Sequence, residues 1–153
     1  MWRKGVGCFL HPTLINFRHK NIIKYCNRAD DWEERFISRW RKKVPATGIV
    51  FHLGDFSFRS CPDVLDQLTG NIILIQGNHD KIEKSIRNKF HMIIDYAEIS
   101  FRDGDINDFF CCSHYPMMRW NKSHYGSYML HGHEHGNINH LNKNMNRIDV
   151  SYD

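Results

Sequence analysis

The chain has 153 residues, enough for one domain that buries about two-thirds of its unfolded surface. Hydrophobic residues make up 41% and charged residues 25%, as in soluble globular proteins, and no apolar run approaches the roughly 20 residues of a membrane span. The net charge of +4 suits an anionic substrate and equally an ordinary solvated surface.

Residues 1–5 are basic, but the apolar patch that follows is too short for the core of a signal peptide, so the cytoplasm is the expected compartment. Cys8, Cys26, Cys61, Cys111 and Cys112 are odd in number and lack Cys-x-x-Cys spacing; reduced structural thiols are expected. Gly5, Gly7 and Pro12 interrupt Cys8-Phe9-Leu10, and residues 1–18 read as a weak strand or a frayed arm. Asn21 is placed to cap a helix through Ile22, Ile23, Lys24 and Tyr25. A second helix starts in the acidic run Asp30-Asp31-Trp32-Glu33-Glu34. It carries Trp32, Phe36, Ile37 and Trp40 on one face and closes with Arg39, Arg41, Lys42 and Lys43, a charge order that matches the helix dipole. The aromatic stripe reads as core and the basic cluster as a solvated helix end.

Pro45 stops that helix. Gly48–Leu53 reads as a buried strand ending in Gly54-Asp55, and a helix through Val64, Leu65 and Leu68 leads to Gly70. The next strand, Asn71 to Ile75, is apolar on both faces and ends in Gly77-Asn78-His79-Asp80. Strand, helix and strand have the length of a right-handed crossover, which brings Asp55, Asn78 and His79 to one sheet edge. Residues 81–92 read as a short helix bearing Ile82, Ile86 and Phe90. A hairpin follows, with arms 95–102 and 106–113 around Asp103-Gly104-Asp105. Its second arm ends in Ser113-His114-Tyr115-Pro116. A further strand, Tyr128-Met129-Leu130, ends in His131-Gly132-His133-Glu134-His135-Gly136, and residues 147–152 form a last strand.

Four strand ends thus carry Asp55; Asn78 and His79; His114; and His133 with His135. A carboxylate, an amide oxygen and imidazoles suit manganese, iron, zinc or nickel. Two such cations roughly 3.5–4 Å apart can share a hydroxide and clamp a phosphate for in-line displacement, while an imidazolium protonates the departing alkoxide.

The ordered series Gly-Asp, Gly-Asn-His-Asp, His, Gly-His-x-His, each just past an apolar strand, resembles the calcineurin-like metallophosphoesterase superfamily, in particular its small single-domain bacterial and phage members. Residues 19–26 also resemble a segment that follows the first motif of that family, and the similarity spans about residues 19–152. The resemblance implies a single domain over residues 1–153 of α/β class, a four-layer αββα sandwich of two mixed β-sheets flanked by helices. It implies a hydrolase that uses two divalent metal ions (manganese, iron, zinc or nickel) on a phosphomonoester or phosphodiester, with a phosphorylated small molecule or nucleotide as substrate and no membrane partner. By the same resemblance Asp55 bridges both metals. Asn78, His114 and His133 hold one metal, His135 belongs to the other, and His79 contacts the phosphate and assists the leaving group. Loops 56–62 and 115–127 are expected to shape the pocket.

The family opens with Asp-x-His at the end of its first strand; here those positions hold about Leu14 and Asn16. Leucine cannot ligate and Asn16 is a poor substitute, so one metal should be held well, the second poorly, and catalysis impaired; His11 and His19 are the conceivable replacements. Read from the third base of Gly7, allowed codons for Gly7–Ile15 spell Met, two apolar residues, a small residue and Ser-Asp-Thr-His. Residues 1–15 are accordingly read as an out-of-frame leader joined near Asn16. Related chains also continue past the segment resembling residues 147–153 with another strand, whose lack is expected to bare a sheet edge. Two alternatives stay open. One is a catalytically inactive metal-binding or partner-binding module of the same fold. The other is a nucleic-acid binder using Arg39–Lys43, which the helix-end reading does not favour.

Overall fold

The computed structural model describes residues 8–11, 15–18, 24, 27–142 and 145–151, of which 8–11 by backbone alone. The described residues build two four-stranded sheets packed face to face. The first has the order β1 (Cys8–His11), β2 (Ile49–His52), β3 (Asn71–Ile75), β4 (Met92–Ile94), all parallel. The second has the order β5 (Tyr96–Asp103), β6 (Ile106–Ser113), β7 (Tyr128–His131), β8 (Arg147–Asp149). Within it the β5–β6 hairpin is antiparallel and the other pairs are parallel. The α/β class, the two-sheet sandwich and the hairpin about Gly104 are as expected.

Helix α1 (Trp32–Lys43) opens with Glu33 and Glu34, closes with Arg41, Lys42 and Lys43, and buries Trp32, Phe36, Ile37 and Trp40. It ends because Val44, the residue before Pro45, is extended, as a residue preceding proline prefers. The buried Trp40 donates its indole N–H to Thr69 O at 2.8 Å, which ties the helix end to the turn before β3. α1, α2 (Pro62–Leu65) and α3 (Lys84–Arg87) cover the first sheet over one core of Ile15, Phe17, Val50, Ile72 and Leu74 with their own buried residues. A second core fills the space between the sheets: Leu53 and Ile75 from the first, Cys112 and Leu130 from the second. β3 therefore buries side chains on both faces, as its unbroken apolar run predicts.

The two sheets differ more than the resemblance implies. The first is wholly parallel, not mixed. Among the described residues, the far face of the second is covered by residues 115–127 in place of helix. Cys111 and Met129, fully buried on that face, lie opposite in pleat to Cys112 and Leu130. Cys111 Sγ approaches Asn121 O at 3.6 Å, Lys122 Nζ stands 3.9 Å over the Phe109 ring, and Arg147 donates to Met117 O at 3.1 Å. Segment 115–127 has no helical periodicity to offer and forms only one 3-10 turn, Ser123–Tyr125.

Two helices are shorter than expected, one turn each at Pro62–Leu65 and Lys84–Arg87. Leu68 still packs on the core beyond the end of α2. β4 was not foreseen: three residues are too few for a periodic signal, and Met92 is 48% exposed. Pairing with β3 makes it a strand, reinforced by His91 N–H to Ile72 O and Gln76 N–H to Ile94 O, both 2.8 Å. The expected helix over residues 21–25 lies outside the described residues, apart from Lys24. Among the described residues no helix is long and apolar enough to cross a membrane.

Candidate metal centre

Asp55 stands just past β2, Asn78 and His79 just past β3, His114 past β6 and His133 past β7, where open α/β sheets place ligands. Asp55, His114 and His133 each offer a ligating atom within 4.8 Å of the others. Asn78 Oδ1 joins them, 2.9 Å from His114 Nε2 and 3.1 Å from His133 Nδ1. His114 Nε2 is also 3.6 Å from Asp55 Oδ2. Asp55 and His114 are nearly fully buried, and His133 is half-buried.

The donor set fits a divalent cation. His114 Nδ1 lies 2.8 Å from Leu53 O, a carbonyl that can only accept, so the proton sits on Nδ1 and the Nε2 lone pair points inward. There it faces an amide oxygen and a carboxylate, both acceptors. A cation at the centre would satisfy these acceptors, and a backbone carbonyl fixing the other ring nitrogen is the usual arrangement for a ligating histidine.

The backbone that aims these groups is tightly specified. Gly54 has φ +95°, and a Cβ there would stand 2.8 Å from both Gly77 Cα and Gly77 N. A Cβ on Gly77 would stand 2.9 Å from His114 Cε1 and closer still to Asp55 Oδ1 and N. Both glycines are thus required by close approach of two strand ends. Asp55, His133 and His135 have φ of 52°, 67° and 47°, left-handed values that side chains seldom adopt and that cluster at functional sites.

Asp80 holds the Asp55 turn in place, a role the sequence did not reveal beyond its being the fourth residue of Gly-Asn-His-Asp. Its buried carboxylate accepts from Gly77 N–H at 2.9 Å, Asp55 N–H at 2.8 Å and Phe56 N–H at 2.7 Å. Burial pushes this carboxyl up to about 6, against the pull of the Gly77 N–H, and nearby Asp55 adds to the rise. Asp55 Oδ1 in turn accepts the His79 N–H at 3.0 Å. His131, also buried, sits one residue before Gly132; desolvation lowers its imidazole, and its Nδ1 lies 2.9 Å from Gly132 O.

His79 is exposed, its ring 5.0 Å from that of Phe58. His135 is exposed and stands outside the group formed by Asp55, His114 and His133. Asn16 is buried beside the site, its N–H donating to Asp55 O at 3.0 Å. Leu14, His19 and the side chain of His11 lie outside the described residues. Two neighbours of the site lie in loops 56–62 and 115–127, which were expected to shape the pocket, although neither residue was singled out from sequence. Phe58 is one; the other is Tyr115, whose ring lies 4.9 Å from that of His114 and 4.5 Å from that of His133.

No protein-family model matches the chain. In an alignment of 131 positions that covers 80% of its length, it is 31% identical to the uncharacterized protein MJ1445 of Methanocaldococcus jannaschii. It spans 66% of that relative, just under two-thirds. The crystal structure of AQ665 from Aquifex aeolicus, a protein of unknown function, superposes with a TM-score of 0.74 and 22% sequence identity. The match covers 94% of this chain and 89% of that one. The two share a fold.

Proposed function

We propose that this protein is a metal-dependent phosphoesterase, acting on a phosphomonoester or phosphodiester. The observation that carries the reading is the convergence of Asp55, Asn78, His114 and His133 from four strand ends on one acceptor-rich point. Asp55, Asn78, His114 and His133 would hold the first ion. A divalent cation bound there supplies Lewis acidity toward a phosphoryl oxygen and activates water at neutral pH. The Leu53 carbonyl keeps His114 in the tautomer that ligates, and Asp80 holds the Asp55 backbone. His79, exposed and tied through its N–H to Asp55, would touch the phosphate and give a proton to the leaving oxygen. For a second ion the chain offers Asp55 and His135 from the family pattern, with leucine at position 14. One ion is therefore held tightly and the other weakly.

Metal analysis of the purified protein, with hydrolysis of a chromogenic phosphodiester in manganese, tests this. The expected results are one tightly held ion per chain, its loss in Asp55→Ala, and turnover lowered about 10²–10⁴-fold with the ion retained in His79→Ala. Restoring Leu14→Asp with Asn16→His should raise turnover; a protein that retains no metal, or stays inert after that restoration, refutes the catalytic reading. Leucine at position 14 is the observation that favours the second reading, an inactive metal-binding module. It predicts one ion, no turnover and no gain from the restored pair.

A further inference from the structure

Two of the large apolar side chains left exposed stand at the candidate metal centre. Phe58 is 40% exposed and Tyr115 is 50% exposed. They come from different sheets: Phe58 follows β2 and Asp55, and Tyr115 follows β6 and His114. Phe58 lies beside His79 with ring centroids 5.0 Å apart and planes 34° apart. Tyr115 touches both ring ligands, 4.9 Å from His114 and 4.5 Å from His133. Exposed apolar side chains scattered singly need no explanation. These two differ in that each is in ring contact with a histidine assigned to the site, Phe58 with His79 and Tyr115 with His114 and His133.

The backbone supports both positions. Phe58 N–H donates to Phe17 O at 3.0 Å, and the neighbouring Ser57 hydroxyl donates to Arg59 O at 2.6 Å. Tyr115 is held through its own carbonyl, which accepts the Ser113 hydroxyl, and the adjacent His114 O accepts Gly132 N–H at 3.1 Å. Each ring thus stands on a hydrogen-bonded backbone segment, with one part against a histidine and the remainder toward solvent. A flat group stacked there removes apolar area from water and meets aromatic faces already in position.

We propose that Phe58 and Tyr115 select substrates whose phosphate bears a planar ring, an aryl phosphate or a nucleotide, over esters of plain sugars or aliphatic alcohols. This rests on the phosphoesterase reading and deepens it. The phosphate sits at the metal centre beside His79, and the ring of its alcohol stacks on Phe58 or Tyr115. A base stacked on an aromatic side chain changes affinity by about tenfold or more in single-stranded nucleic-acid sites.

The test measures binding to manganese-loaded protein by calorimetry, with inorganic phosphate, ribose 5-phosphate, phenyl phosphate and adenosine 5′-monophosphate as probes. Phenyl phosphate and adenosine monophosphate should bind about tenfold more tightly than ribose 5-phosphate. In the Phe58→Ala, Tyr115→Ala double variant that advantage should vanish, while ribose 5-phosphate and inorganic phosphate bind as before. Both residues are substantially exposed, and an unchanged melting curve verifies that the variant folds. Tighter binding of adenosine monophosphate than of phenyl phosphate, lost in the double variant, supports the proposal and marks a nucleotide as the source of the ring. Equal binding of all four probes, or a variant that weakens all four alike, overturns the selection by rings and leaves the phosphoesterase reading standing. If none of the four binds the loaded protein, both fall together.

Discussion

Gly77→Ala is the sharpest probe of how the centre is built. The substitution adds one methyl group at a point where the added carbon would lie 2.9 Å from His114 Cε1 and nearer still to Asp55 Oδ1 and N. Ordinary carbon contacts begin near 3.5 Å, so something must move by roughly 0.5–1 Å. The closest neighbours cannot yield cheaply. Asp55 N is bonded to the buried Asp80 carboxylate at 2.8 Å, and His114 is held to Leu53 O at 2.8 Å. Forced overpacking of this kind costs about 1–3 kcal/mol, and a rigid backbone neighbour puts the variant at the upper end. For a chain of this size that is a fall in Tm of roughly 5–10 °C. The displaced oxygen belongs to Asp55, and metal sites tolerate only about 0.2 Å, so manganese affinity should drop at least tenfold. Gly104→Ala is the control: it strains a positive φ, +56°, but a Cβ there meets nothing within 4 Å. It should lower stability by about 1 kcal/mol and leave metal binding untouched. Calorimetric melting without metal and manganese titration read both effects. If Gly77→Ala melts within about 1 °C of the parent, the packing argument is wrong. If it melts lower but binds manganese unchanged, Asp55 is not a ligand.

Asp80→Asn should lower stability by about 2–4 kcal/mol in a urea melt, because an amide N–H2 is then turned toward the N–H groups of Gly77, Asp55 or Phe56. Trp40→Phe should cost about 2–4 kcal/mol, from lost volume at a fully buried position and an unpaired Thr69 carbonyl. Burial pushes the Cys61 thiol from 9.0 up to about 11. Its folded value is above its unfolded one, so its contribution is fully present below pH 9 and is lost as pH rises toward 11. The fully buried group then accounts for up to about 3 kcal/mol of alkaline destabilisation, and the stability difference between parent and Cys61→Ala should shrink by up to that amount from pH 8 to 11. A difference that stays constant over that range refutes the assignment.

Much of this protein is legible from its sequence alone. The buried stripe of α1, the doubly buried β3 and the β5–β6 hairpin about Gly104 all follow from local pattern: period, charge order and turn chemistry. The candidate residues were legible too, because each follows an apolar strand, and strand ends are where parallel sheets gather their side chains. What only the tertiary structure decided is which of them meet. Asp55, Asn78, His114 and His133 converge, and His135 is not a member of that group. It also decided that a three-residue segment, Met92–Ile94, is a strand, that loop 115–127 covers the second sheet among the described residues, and that Asp80 anchors the Asp55 turn. Phe58 and Tyr115 entered the site in the same way. The physical reason is shared: periodicity and turn propensity act between residues a few positions apart. Edge pairing, loop cover and the approach of two glycine turns depend on contacts between segments far apart in sequence, whose energies no local pattern encodes.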